Sequence, residues 1–221
     1  MAQTIIYLLI YFVYVLRNIY RIILYRLHIL ARICGIPFTG DELIFEPKEL
    51  DDIVLQNNYI YEHKTASFNY TTYDLRRDQD TLNPTGPGLR RYIMIPSYED
   101  ANDNGSHPFW YARVLGIFHV NIYYRGSNKK WKFQFLTVRW FGEEPGWLGG
   151  ARHLWLNKVG YVSEEDPEAF GFLDPSEVLR ACHLIPAFAE GKTTSLLGPS
   201  IARDGKDGDW VNYYVFWRVP L

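Results

Sequence analysis

The chain has 221 residues, 48% of them hydrophobic and 22% charged, which is an ordinary globular balance and excludes a disordered or low-complexity chain. Aromatic residues reach 17%, with 17 Tyr, 13 Phe and 7 Trp, and side chains of this kind favour pleated, half-buried surfaces. The net charge of −2 is unevenly divided: residues 1–34 hold four arginines and no acid, so the remainder carries −6, which argues against non-specific binding to a phosphate backbone.

Residues 5–16, IIYLLIYFVYVL, form an uninterrupted apolar run, and an apolar stretch punctuated by Arg17, Arg21, Arg26 and Arg32 follows it. Arg17, Arg21, His28 and Arg32 recur at helical spacing, so 3–33 reads as one long hydrophobic helix. Three roles compete for it. It could span a membrane with its arginines toward the cytoplasm, lie in a membrane interface as a basic amphipathic helix, or serve no membrane purpose. MAQT carries no positive side chain, which argues against a cleavable signal peptide.

Residues 35–57 are punctuated by Pro37, Gly40 and Pro47 and rich in acids, and read as a linker with one helical turn near 47–54. From 58 to 221 the punctuation suits a single β-rich domain, with its compact part from about Phe68 to Val215. YIYEHKT, SFNYTTYDL and RYIMIP (91–96) read as strands, with NPTGPG as a turn between the last two.

The strongest pattern is FWYARVLGIFHVNIYY at 109–124. Every even position from Trp110 to Tyr124 is apolar or glycine, whereas Arg113, His119 and Asn121 are odd, which predicts one buried face and one exposed face. RGSNKK connects it to WKFQFLTVRWF at 131–141. There the apolar phase changes between Phe135 and Leu136, which predicts a β-bulge or a strand passing from one packing face to another. Bent strands of this sort suit a small bent sheet or partly open barrel. Further on, LWLNKVGYV, ACHLIPAF (181–188) and DWVNYYVFWRV (209–219) read as strands, and Asp174-Pro175-Ser176-Glu177 as a short helix start. The expected fold class is mainly β, SH3-like in scale, with short helices behind one long N-terminal helix.

Motifs for chemistry are sparse. Cys34 and Cys182 form no CxxC pair, and His63, His107, His119, His153 and His183 show no metal-ligand spacing, so neither a metal nor another cofactor is expected. Asp74, Asp78 and Asp80 are interleaved with Arg76 and Arg77, which favours local ion pairing and turn capping over a two-metal site. No GxSxG, family-type Cys-His context or P-loop occurs, so no catalytic residue is assigned and the chain is not expected to be an enzyme. The candidate binding residues are the aromatics Trp110, Tyr111, Tyr123, Trp140 and Phe141 of the central hairpin. Aromatic faces could hold a methylated ammonium or stack single-stranded bases; the competing role is core.

FNYTTYDLRRDQDTLNP, HPFWYARVLGIFHV, VRWFGEEPGW, EDPEAFGFLDPSEVLRACHLIPAFAEG and LLGPSIAR, in that order, resemble the downstream region of proteins of Plavaka-type DNA transposons of fungi, over about 58–215. YARVLGIF followed by LTVRWF is also similar, over a shorter stretch, to the core of bromo-adjacent homology (BAH) domains, small chromatin-reader barrels. The first resemblance implies a fungal mobile-element origin and a nuclear setting. It implies no transposase activity, because the catalytic acids of such proteins lie in an upstream nuclease domain. Residues 1–34 and the final FWRVPL depart from the family pattern, so the expectation is a transposon-derived remnant. Its partner would be a protein, either a chromatin tail or another transposon component. The alternative is a membrane-anchored protein whose β domain faces the cytoplasm.

Overall fold

A computed structural model of the chain describes residues 4–7, 20–36, 45–71, 75–86, 90–97, 108–125, 127, 129–147, 149 and 155–216. In chain order the elements are β1 (Thr4–Tyr7), α1 (Tyr20–Cys34), α2 (Pro47–Leu50), β2 (Ile53–His63), β3 (Ala66–Thr71), β4 (Arg77–Leu82), β5 (Tyr92–Pro96), β6 (Phe109–Tyr124), β7 (Lys130–Glu143), β8 (Lys158–Tyr161), β9 (Phe170–Leu173), β10 (Arg180–Pro186), β11 (Lys192–Thr193), β12 (Asp209–Trp210) and β13 (Tyr213–Phe216). The chain is mainly β, as its aromatic content predicts.

Nine strands form one antiparallel sheet in the order β1-β2-β6-β5-β10-β13-β8-β7-β9, with β6 also paired to β7. The two long strands organise it. The free side of β6 pairs with β5 over Phe109–Arg113 and with β2 over Ile117–Tyr124. The free side of β7 pairs with β9 over Leu136–Arg139 and with β8 over Phe141–Glu143. Each long strand therefore changes neighbour midway, and the sheet bends there. As a whole this is a large bent sheet with edges at β1 and β9, not a closed barrel, although the pairings β6-β5-β10-β13-β8-β7 lead back to β6.

The hairpin predicted at 109–141 is present, but its faces are arranged differently. The bulge is not in β7. It lies in β6, where the register shifts between Val114 and Gly116 opposite Thr137 and Val138. β7 alternates without interruption. Its odd residues Phe133 and Phe135 pack with α1, and its even residues Leu136 and Val138 pack in a second core on the opposite face. In β6 the extra residue, Leu115, reverses the parity. Ala112 and Val114 share the second core with Ile117, whereas Phe118, Val120 and Ile122 join the first. The even-numbered apolar residues of β6 thus occupy two opposite faces. The expected exposed face of Arg113 and His119 is buried, because over 111–120 both faces of the strand are covered.

The N-terminal segment also departs from expectation. Thr4–Tyr7 is a strand paired with Tyr59–Glu62 of β2, and α1 begins at Tyr20, so 3–33 is not one helix. A short run of β-branched and aromatic residues satisfies strand and helix alike, and periodicity cannot separate the two. Residues 8–19, which hold most of the apolar run, lie outside the described residues. Among the described residues no helix is long and apolar enough to cross a membrane. Leu27, Ile29, Leu30 and Ala31 of α1 are buried with Phe45, Leu50, Ile53, Phe118 and Phe135. This helix covers the sheet.

β2 runs across position 58, so the acidic stretch 35–57 ends inside a strand. Its pairing with β6 shifts between Leu55 and Ile60, where Asn57 and Asn58 have φ of 58° and 56°, a left-handed conformation asparagine tolerates. β3 and β4 form a separate hairpin whose Phe68 and Leu82 close the second core. Asp174 caps a 3-10 turn at Pro175–Glu177 by accepting from the Ser176 N–H at 2.9 Å, in the place where the sequence predicts a helix start.

Candidate functional site

The five aromatics singled out from sequence do not form one cluster. Trp110 and Trp140 meet edge to face at 6.2 Å and pack, partly exposed, on the second core. Tyr111 and Phe141 face each other in register on the opposite side of the sheet and are buried there, with Phe141 stacked on Tyr161 at 4.1 Å. Tyr123 lies near the far end of β6 opposite Lys130 and is 42% exposed. With β6 rising about 3.3 Å per residue, Tyr123 is roughly 40 Å from Tyr111 along the strand.

A buried ionic cluster, not foreseen from local sequence pattern, joins β6 and β7 to the segment around Asp204 and Asp209. Arg113 and Arg139 are cross-strand partners. The segment Ile201–Asp209, built of turns, brings two acids to them. Arg139, 0% exposed, donates from Nη1 to Asp209 at 2.8 Å and lies 3.8 Å over the Tyr161 ring. Arg113 donates to Asp204 at 3.0 Å and to the Ala202 carbonyl at 2.7 Å. Asp204 also accepts from the hydroxyls of Tyr92 (3.3 Å), Tyr161 (3.1 Å) and Tyr213. Burial raises the hydroxyl pKa of Tyr161 and Tyr92, with the Asp204 charge adding to it, so both remain donors. Asp209 closes the circuit by accepting from the Asp204 N–H at 2.9 Å. Every acid here is already taken up by cations and hydroxyls, so the cluster anchors the 201–209 segment to the sheet. In sequence its only signal is two strand arginines and a polar DGKDGD segment at 204–209, and nothing local links them.

The acids near the β3–β4 hairpin are arranged in a similar way. Asp80 accepts from the Ala181 N–H at 3.0 Å and lies 3.9 Å from Arg180, and Asp78 accepts from the Tyr70 hydroxyl at 2.9 Å. These partners come from β10 and β3. Asp74 lies outside the described residues.

An aromatic surface occurs on the outer side of β8, β13 and β10. In register, Tyr214 has Lys158 on one side and Ile185 on the other. Trp147 stands 5.9 Å from Tyr214 and 6.4 Å from Trp155, with the Lys158 ammonium 5.1 Å from its ring. Its indole N–H donates to the Leu156 carbonyl at 3.0 Å, which fixes the ring. Trp155 is 67% exposed, its chain neighbour Leu156 is exposed, and so are Ile185, opposite Tyr214, and Phe216, two residues beyond Tyr214 in β13. Of these residues the sequence reading placed most in strands, but it could not tell which side of each strand faces solvent.

A groove of about 540 Å³ lies between β3 and β7, lined among others by Ser67, Asn69, Lys132, Gln134 and Ser176. Arg32 crosses one wall, paired with Asp174 and donating to the Gln134 carbonyl at 2.6 Å. Its exposed lining is more polar than apolar, and Arg32 and Asp174 are already paired with each other, so it offers a ligand limited apolar anchorage.

Finally, His63 and His119 come together from β2 and β6, Nε2 to Nδ1 at 2.7 Å. His107 and His153 lie outside the described residues. Among the described residues no three histidine, cysteine or acidic side chains are grouped as for a metal.

No family model matches the chain, and neither a curated protein nor a solved structure does.

Proposed function

We propose that the chain is a non-enzymatic, transposon-derived binding module, and that it docks a protein segment on the face formed by Trp147, Trp155 and Tyr214. The observation that carries this is Trp155, 67% exposed beside a second, fixed tryptophan. Tryptophan and tyrosine dominate the energetics of protein interfaces, and a contiguous exposed apolar patch marks such a surface. The Lys158 ammonium over the Trp147 ring also bears on the partner's chemistry. Lys158 occupies the Trp147 ring, so the ring open to a lysine or methylated lysine of a partner is the exposed Trp155, which attracts it by the same quadrupole. That fits a chromatin tail, and with it the likeness to BAH-type readers in a nuclear setting. The face lies elsewhere than the hairpin tryptophans, so the reader role moves from Trp110 and Trp140 to Trp147 and Trp155.

An array of unmodified and methylated histone-tail peptides tests this. The wild-type chain is expected to retain a subset of peptides, Trp155→Ala to lose them, and Trp110→Ala to keep them. Failure of the wild-type chain to retain any peptide, or equal retention by Trp155→Ala, overturns the reading.

A further inference from the structure

The imidazoles of His63 and His119 are directed at each other by the sheet. In the antiparallel register His119 is opposite Tyr61 and His63 is opposite Ile117, so the two histidines are diagonal neighbours on one face. Their rings are 4.9 Å apart, and the Tyr61 ring stacks on His119 at 4.5 Å and 10°, which holds that imidazole in place. His119 is buried and His63, the last residue of β2, is partly exposed, so the space between them is reached from the His63 side. Burial and the nearby Lys132 keep both rings neutral, with His119 lowered to about 4. Neutral imidazole is the form that ligates metals.

We propose that His63 Nε2 and His119 Nδ1 form a two-histidine site for a divalent transition-metal ion of tetragonal preference, Cu(II) or Ni(II), with solvent completing the coordination. The spacing carries the choice of metal. Two nitrogens about 2.0 Å from an ion and at right angles to each other are roughly 2.8 Å apart, whereas a tetrahedral zinc ion needs roughly 3.3–3.4 Å. The observed 2.7 Å is a hydrogen bond between the rings and lies nearer the first spacing, so a tetragonal ion enters with the smaller parting of the two rings. Binding displaces the single proton shared between the two nitrogens, which passes through solvent to the far nitrogen of the ring that carried it, so both ligands stay neutral imidazoles and no net proton is released. Lys132 opposes the added charge, so affinity is set below what the two nitrogens alone would give.

The test is a Cu(II) titration of the full chain followed by electron paramagnetic resonance and by the visible d–d band. The expected result is one saturable equivalent with a tetragonal spectrum and nitrogen hyperfine structure from two imidazoles. His63→Ala, at a partly exposed strand end, should fold normally and lose this signal. Lys132→Met should tighten binding, which a purely structural histidine pair does not predict. Zn(II) should compete poorly. An unchanged spectrum in His63→Ala places copper on other histidines and overturns the proposal, as does absence of saturable binding in the wild-type chain.

Discussion

Removing Asp209 should be among the most damaging single changes in the molecule. Its carboxylate is 1% exposed and lies 2.8 Å from Arg139, which is 0% exposed. In Asp209→Ala the guanidinium keeps one contact to the Ala202 carbonyl at 3.1 Å and the Tyr161 ring, but no countercharge at that position. Stranding one partner of a buried ion pair costs about 3–5 kcal/mol. The Asp204 N–H loses its acceptor as well, adding about 1–3 kcal/mol. The total is comparable to the whole stability of a domain, about 5–15 kcal/mol. The companion variant Arg139→Met/Asp209→Ala removes both charges. Arg139 Nε and Nη2 have no hydrogen-bond partner among the described residues, so the native pair is incompletely satisfied. The double variant should then recover at least half of the loss. Urea unfolding, read as midpoint and slope together, distinguishes these cases. A single variant within about 1 kcal/mol of the wild type, or a double variant no better than the single, would refute the reasoning.

Three further outcomes are expected. Burial, with Arg32 beside it, lowers the His28 pKa to about 3; burial with Lys132 and His63 lowers His119 to about 4. Both folded values lie below the ordinary 6.5, so the unfolded chain binds protons first. Stability is full above about pH 6.5 and falls as the pH drops toward 4 and then 3, by up to about 1.4 kcal/mol per pH unit for each histidine. His28→Leu should flatten this acid limb in urea titrations run at several pH values; an unchanged slope would contradict a buried neutral imidazole. Gly208 has φ +116°, and a Cβ there would lie 2.3 Å from the Thr193 carbonyl oxygen, whereas Gly191 at φ +75° faces open space. Thermal unfolding should therefore show Gly208→Ala losing clearly more than the roughly 1–2 kcal/mol of left-handed strain expected for Gly191→Ala. Trp155→Ala should leave the melting temperature unchanged, since its ring is mostly in solvent; a large drop would make Trp155 a packing residue rather than a docking one.

The part of the fold legible in the sequence was the part governed by local pattern. Alternation located β6 and β7 at nearly their true limits, and the cap at Asp174 was visible from four residues. What failed was the assignment of faces. Alternation reports which residues are apolar but not which side of the sheet each faces, so Leu115 could reverse the parity of β6 unnoticed. The phase change in β7 met the second of its two expectations: the strand passes from one packing face to the other, one face being covered in its first half and the other in its second. Arg113 looked solvent-facing because its acid, Asp204, arrives from a segment about 90 residues later, which only the strand pairing brings near. The same limit applied to binding residues: the aromatics of the strongest strand pattern were the most visible, and those of short strands and loops, Trp147 and Trp155, were not singled out.

The claim on which the fold account rests most heavily is that α1 belongs to the β domain as a core element. Leu27, Ile29 and Leu30 are buried against Phe118 and Phe135. Burial of a large aliphatic side chain stabilises by about 1.5–3 kcal/mol, so the three contribute roughly 5–9 kcal/mol. The direct measurement is urea unfolding of residues 35–221 beside the full chain, with a dye that reports exposed apolar surface. The account predicts that 35–221 binds the dye and lacks a cooperative transition. A soluble, monomeric 35–221 that unfolds cooperatively at the midpoint of the full chain would contradict it.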